Sequence, residues 1–117
     1  MSAAKREQQV GLWAAIYRGD LHSAVHFFKN GADINDVQCL GANTNSRGTP
    51  LHWAACYGRV DMVQLLLSHD ADLFSRDNDG RTPEDVAEYN SHFEVATILR
   101  RAKVDMVTTR ARLNETM

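Results

Sequence analysis

TPLHWAACYGRVDMVQLLLSHDAD, residues 49–72, contains the start of one helix, its stop, and a second helix behind it. Thr49 suits an N-cap, and Pro50 suits the first helical position, where its missing N–H would have no partner anyway. Leu51, Ala54 and Ala55 then fall at i, i+3 and i+4, on one helical face. The alanines matter sterically, because small side chains let a neighbouring helix come close. Gly58 can end this helix in a left-handed conformation. Val60, Val63, Leu66 and Leu67 form one face of the second helix.

The block recurs. TPEDVAEYNSHFEVATILRR, residues 82–101, repeats it at an offset of 33, Thr49 matching Thr82, with Pro50 on Pro83, Ala54 on Ala87 and Leu66 on Leu99. Thr82 caps, Pro83 begins the helix, and Glu84 and Asp85 favour the positive end of its dipole. Val86, Ala87, Phe93, Ala96, Ile98 and Leu99 are predicted to face inward. Arg100, Arg101 and Lys103 sit where a helix C-terminus prefers cations. Upstream, LWAAIYRGDLHSAVHFFKNGAD, residues 12–33, aligns at an offset of 39, Leu12 matching Leu51, with Ala15 on Ala54, Gly19 on Gly58 and Phe27 on Leu66. The extra residues fall in VQCLGANTNSRG, residues 37–48, whose Gly, Asn, Thr and Ser read as an exposed loop.

A single helix pair cannot bury its apolar faces, whereas stacked pairs share a continuous core. The predicted fold is therefore all-α: a solenoid of three stacked helix-turn-helix repeats. The repeats cover about 11–36, 47–77 and 80–103, with a loop insertion at 37–46. Residues 1–10 are an extension or the start of the first helix, and 104–117 form a C-terminal tail. In that tail Val104, Met106, Val107 and Leu113 suit a short docked helix, while Thr108, Thr109 and Asn114 weaken helix propensity and suit a frayed end.

The chain has 117 residues, enough for one domain, and its 44% apolar and 24% charged residues fit a folded soluble protein. A formal charge of -2 argues against non-specific nucleic-acid binding, which needs a strongly basic face. Arg110 and Arg112 make a basic cluster too small for that role and read as solvated. No apolar run reaches the roughly 20 residues that span a bilayer. The polar start MSAAKREQQV does not read as a secretory signal. Cys39 and Cys56 form no CxxC pair, so a reducing cytosol or nucleus is the expected compartment.

TPLHWAA, a following glycine, VxxLL and GAD together resemble the ankyrin repeat, and the likeness covers about residues 11–103. The resemblance implies antiparallel helix pairs joined by protruding hairpin loops, and a concave face that binds another protein. It also implies that His52 hydrogen-bonds the neighbouring loop backbone. Asp70 stands where the family usually has the glycine of GAD, and Asp reaches the left-handed region at modest cost. Arg47 stands at another usual glycine, with Gly48 next to it. The first repeat has Trp13 at the histidine position and the third has Glu84-Asp85 in place of LH; both suit end caps, which need polar outer surfaces.

Carried over position by position, the resemblance implies partner contacts at Tyr17 and Arg18, at Asn45, Ser46, Cys56 and Tyr57, and at Asn78, Asp79, Arg81, Tyr89 and Asn90. Tyr and Arg are the residue types that anchor interfaces. The competing reading is that two of the tyrosines only shield the seams between repeats. The insertion from Val37 to Arg47 is either a second contact loop or a tolerated lengthening. The expected function is an interaction module or adaptor, a monomer when unbound. The alternatives are a regulatory inhibitor or an excerpt of a larger ankyrin-containing protein.

Catalytic and metal readings are weaker. His52 and Cys56 share a helix face four residues apart, but neither a third orienting group nor an oxyanion hole accompanies them. His22 and His26 have a zinc-compatible spacing without further ligands to complete a site. Nucleotide-loop motifs of the GxxxxGK[ST] or GxGxxG type are missing. Trp13 and Trp53 read as packing residues. An enzyme is not expected, nor a cofactor, nor a metal.

Overall fold

Thr49 opens the second repeat as the sequence predicts. In a computed structural model that describes residues 3–36, 38–39 and 47–115, with side chains for 6–36 and 48–108, the Thr49 hydroxyl accepts from the His52 backbone N–H at 3.4 Å. The His52 ring in turn accepts from the Thr49 N–H at 3.1 Å. Thr82 and Asp85 make the same reciprocal pair, at 3.3 and 3.1 Å. Each capping box satisfies two N–H groups that a helix start leaves without partners.

The helices of the described residues are α1 (Ala3–Arg18), α2 (Leu21–Lys29), α3 (Pro50–Tyr57), α4 (Val60–Ser68), α5 (Pro83–Tyr89) and α6 (Phe93–Glu115). Consecutive helices pair as α1·α2, α3·α4 and α5·α6. The inner helices α1, α3 and α5 touch in series, and so do the outer helices α2, α4 and α6. Leu12, Ala15, Ile16, Leu51, Ala54, Val63, Leu66, Ala87 and Leu99 are sealed from solvent along this stack. Ala15, Ala54 and Ala87 occupy one repeat position, where a larger side chain would push the inner helices apart. Met62, outside the predicted apolar face of α4, is buried as well.

The turn between helices is left-handed in every repeat: Gly19, Gly58 and Ser91 hold φ of 72°, 67° and 62°. At Gly58 a Cβ would also lie 2.5 Å from the His92 ring. Asp70 adopts φ 64°, so it does the work of the missing glycine. The base of the insertion is a two-residue antiparallel pair, β1 (Gln38–Cys39) with β2 (Arg47–Gly48), in the register Gln38↔Gly48 and Cys39↔Arg47.

Of the two readings of residues 1–10, the start of the first helix fits, since α1 begins at Ala3. Two other features differ from expectation. α6 does not end near Lys103 but continues to Glu115. Two of the three cations read as its C-terminal cap instead reach across to α5: Arg100 contacts Glu84 at 2.9 Å and Glu88 at 2.7 Å, and Lys103 contacts Glu84 at 3.1 Å. Neither Gly nor Pro follows Pro83, so nothing in the sequence stops the helix. Finally, Phe93 is 65% exposed rather than inward, because it opens α6 and among the described residues no further repeat covers it.

Candidate partner-binding face

The C-terminal ends of the inner helices bring Tyr17 and Arg18, Cys56 and Tyr57, and Tyr89 and Asn90 into series. Tyr17 meets Tyr57 edge-on, ring centres 5.4 Å apart at 90°. Tyr57 lies 6.1 Å from Trp53, and Trp53 meets Trp13 edge-on at 5.5 Å. The rings thus form a ladder across the first two repeats, and its two contacts between repeats have the edge-to-face geometry that ring quadrupoles favour. Tyr57 does shield a seam; Tyr17 at 61% and Tyr89 at 76% exposed do not.

In the third repeat the Arg81 guanidinium lies over the Tyr89 ring, 5.2 Å from its centre. Arg81 is held there by Asp79 at 2.9 Å and faces Asp77 at 3.6 Å. Asp77 shapes the turn, accepting the backbone N–H groups of Asp79 and Arg81, each at 2.9 Å. His52 donates its Nε2–H to the Arg81 carbonyl at 2.8 Å, which ties this turn to α3. Asn78 and Asp79 stand exposed at its tip. Between α3 and α5 runs a cleft of about 180 Å³, walled by Trp53, Cys56, Val86, Tyr89, Asn90 and Arg81.

Burial pushes the His52 pKa below its ordinary value and the Cys56 thiol above its own. The Tyr57 hydroxyl is likewise pushed up by burial. Cys56 is therefore a neutral thiol. Both His52 ring nitrogens are engaged, by Thr49 and by Arg81, so His52 has no nitrogen free to take the Cys56 proton. Arg18 folds back on the Ala14 carbonyl at 3.4 Å, apart from the ladder. Asn45 and Ser46 lie outside the described residues.

Two clamps escaped the sequence reading. Arg59 donates to the Tyr17 carbonyl at 2.8 Å, and the His92 Nε2–H donates to the Cys56 carbonyl at 3.1 Å. Arg59 and His92 hold the same repeat position, and so do Tyr17 and Cys56. Each repeat therefore fastens the end of the inner helix before it. An arginine and a histidine share no pattern that a sequence scan would match.

Residues 12–110 match a family model described as ankyrin repeats in three copies. The chain belongs to the ankyrin-repeat family. It is 32% identical over 107 residues to the ARF GTPase-activating protein Git of Drosophila melanogaster, covering 90% of this chain and 14% of that protein. It is 37% identical over 91 residues to the E3 ubiquitin-protein ligase Ufd4 of the same species, covering 75% of this chain and 3% of the ligase. Mouse rabankyrin-5 is 32% identical over 97 residues, which are 78% of this chain and 8% of rabankyrin-5. The chain thus spans a small fraction of each of these relatives. Ankyrin repeats are in general non-catalytic modules that bind other proteins. No helix among the described residues is long and apolar enough to cross a membrane.

Proposed function

We propose that this ankyrin stack is an adaptor that grips one partner protein through the Tyr17–Tyr57–Trp53 ladder, the cleft beside it, and the Asn78–Arg81 turn. The ladder carries the reading: aromatic rings, exposed at Tyr17 and half-buried at Tyr57 and Trp53, continue from one repeat to the next on a rigid support, with Arg81 and Tyr89 extending the surface. Such residues bring large contact area at low entropic cost and concentrate binding energy. The cleft of about 180 Å³ suits one ring-sized side chain, since a cavity of about 150 Å³ holds benzene. The module works in the cytosol or nucleus and is monomeric until it binds.

The test is the double variant Tyr57→Ala, Arg81→Ala. A partner captured by the native protein and identified by mass spectrometry is titrated against both forms by calorimetry. Loss of two interface anchors weakens binding by about 30-fold or more, while the circular dichroism spectrum stays unchanged. Equal affinities would place the binding surface elsewhere. Adding the module to the partner's own activity assay separates adaptor from inhibitor, because an adaptor leaves that activity intact.

A further inference from the structure

The volume of the cleft between α3 and α5, about 180 Å³, admits any ring-sized side chain. Its walls select among them. Trp53 stands on α3 and Tyr89 on α5, so each helix contributes one aromatic ring. Val86 and the Cys56 sulfur complete the apolar lining. Offset and edge-on ring pairs gain more than the area they bury, and sulfur is a favourable neighbour for a ring edge. A saturated side chain of equal size meets the same walls without either gain.

The charged groups that face the cleft are already matched within the chain. Arg81 pairs with Asp79 at 2.9 Å, faces Asp77 at 3.6 Å and lies over the Tyr89 ring. The Asp77 carboxylate accepts two backbone N–H groups besides. Both His52 ring nitrogens are engaged, and Asn90 donates to the Val86 carbonyl at 2.9 Å. Trp53 Nε1 and Arg81 Nε have no hydrogen-bond acceptor among the described residues, but both atoms are sealed from solvent. An ionised occupant would therefore give up its hydration without finding a free counter-charge. An anion would meet Asp77 and Asp79 beside Arg81, and a cation would meet Arg81 itself.

Three contacts that cross from α3 to the third repeat fix the width of the cleft. His52 donates to the Arg81 carbonyl at 2.8 Å, His92 to the Cys56 carbonyl at 3.1 Å, and Asn90 Nδ2 to the Cys56 sulfur at 3.9 Å. A cleft held in this way needs little ordering when it is filled, which removes part of the cost of binding. We propose that the partner anchors itself here with an uncharged phenyl-type ring, that of phenylalanine or tyrosine. The biological occupant rests on the partner face proposed above, whereas the preference for such a ring belongs to the cleft itself.

The test titrates the intact protein at neutral pH with benzyl alcohol, cyclohexylmethanol, benzoate and benzylamine, probes of similar size that differ in aromaticity or charge. Backbone amide shifts of Trp53, Cys56, Tyr89 and Asn90 report occupancy. Benzyl alcohol is expected to move them saturably and to bind about two- to tenfold tighter than cyclohexylmethanol. Benzoate and benzylamine are expected to bind roughly tenfold or more weaker than benzyl alcohol. Alkylation of Cys56 by iodoacetamide, read on its tryptic peptide, slows as benzyl alcohol fills the cleft. Cys56→Phe supplies a ring from within and abolishes the shifts at Trp53 and Tyr89. Cys56→Met, which adapts to irregular gaps, does the same where the phenylalanine variant does not fold. Tyr57→Ala leaves the affinity for benzyl alcohol unchanged, because Tyr57 is outside the lining. Benzyl alcohol at about ten times its Kd weakens the captured partner by about tenfold. The proposal is overturned if the cleft amides do not shift, or if the saturated or a charged probe binds as tightly as benzyl alcohol. It is overturned too if benzyl alcohol fills the cleft and the partner binds as before, since the anchor then lies elsewhere. Failure of the ladder reading is a different result: Tyr57→Ala alone leaves the partner's affinity intact while benzyl alcohol still displaces the partner.

Discussion

His52 makes two hydrogen bonds that ask opposite things of its ring. Nδ1 accepts the Thr49 N–H, and Nε2 donates to the Arg81 carbonyl. Only the neutral ring with its proton on Nε2 does both; a second proton would set Nδ1–H against the Thr49 N–H. Burial adds to this and lowers the pKa from 6.5. Below about that pH the unfolded chain binds a proton that the folded chain refuses. The stabilisation is thus complete above pH 6.5 and is lost progressively as pH falls. His52→Gln keeps a capping-box side chain but gives up the bond to the part-buried Arg81 carbonyl, which retains the Asp77 N–H, at a cost of about 1 kcal/mol near neutral pH. Urea titrations from neutral to acidic pH should therefore show a steeper loss for the native protein than for the variant; parallel curves would contradict the neutral-ring assignment. The bond from His52 to the loop was legible only through the family resemblance. Gln9 was not legible at all. Fully buried, it clamps both sides of the Asp33 backbone, at 2.8 and 2.9 Å, in the first repeat, which has no TPLH. Nothing in MSAAKREQQV distinguishes it from Gln8.

At the scale of elements, helix starts were readable and helix ends were not. A start carries its own chemistry: Thr-Pro fixes the cap and the first φ. An end needs a stop, and α6 has none in its sequence. Its basic residues suggested an end near Lys103, but Arg100 and Lys103 pair across to Glu84 and Glu88, a tertiary arrangement that local spacing does not contain. Phe93 misled for a related reason. Its equivalent in the second repeat, Val60, packs against the core, but among the described residues no further repeat covers the third. α5, with only seven residues, depends most on its cap. Thr82→Ala is predicted to cost about 1 kcal/mol, because the Asp85 N–H loses the hydroxyl that caps it. Thr82→Ser should recover most of the loss. Chemical denaturation of both variants checks this, and an unaffected alanine variant would show that packing alone holds α5 in place.

For the whole molecule, the stack and its order were written in the 33- and 39-residue offsets, because each repeat pays for its neighbour's exposed face. The binding strip was legible as positions but not as contacts. Tyr17, Tyr57 and Tyr89 share a side of the stack, yet Arg81 reaches Tyr89 while Arg18 turns away. Leu66 tests the architecture directly. It is fully buried in the middle layer, on α4, which touches both α2 and α6. Phe27 and Leu99 hold the equivalent position on either side. Leu66→Ala should cost about 2–5 kcal/mol, depending on how far the neighbours close on the cavity. A stack held by nearest-neighbour interfaces loses support on two sides at once when its centre is hollowed. The variant should therefore unfold earlier but still in one step, with circular dichroism and tryptophan fluorescence coinciding. The fluorescence reports the first two layers, where Trp13 and Trp53 meet, and circular dichroism reports every helix. Two separated transitions, or a shift worth less than about 1 kcal/mol, would mean that the layers do not depend on one another through this side chain.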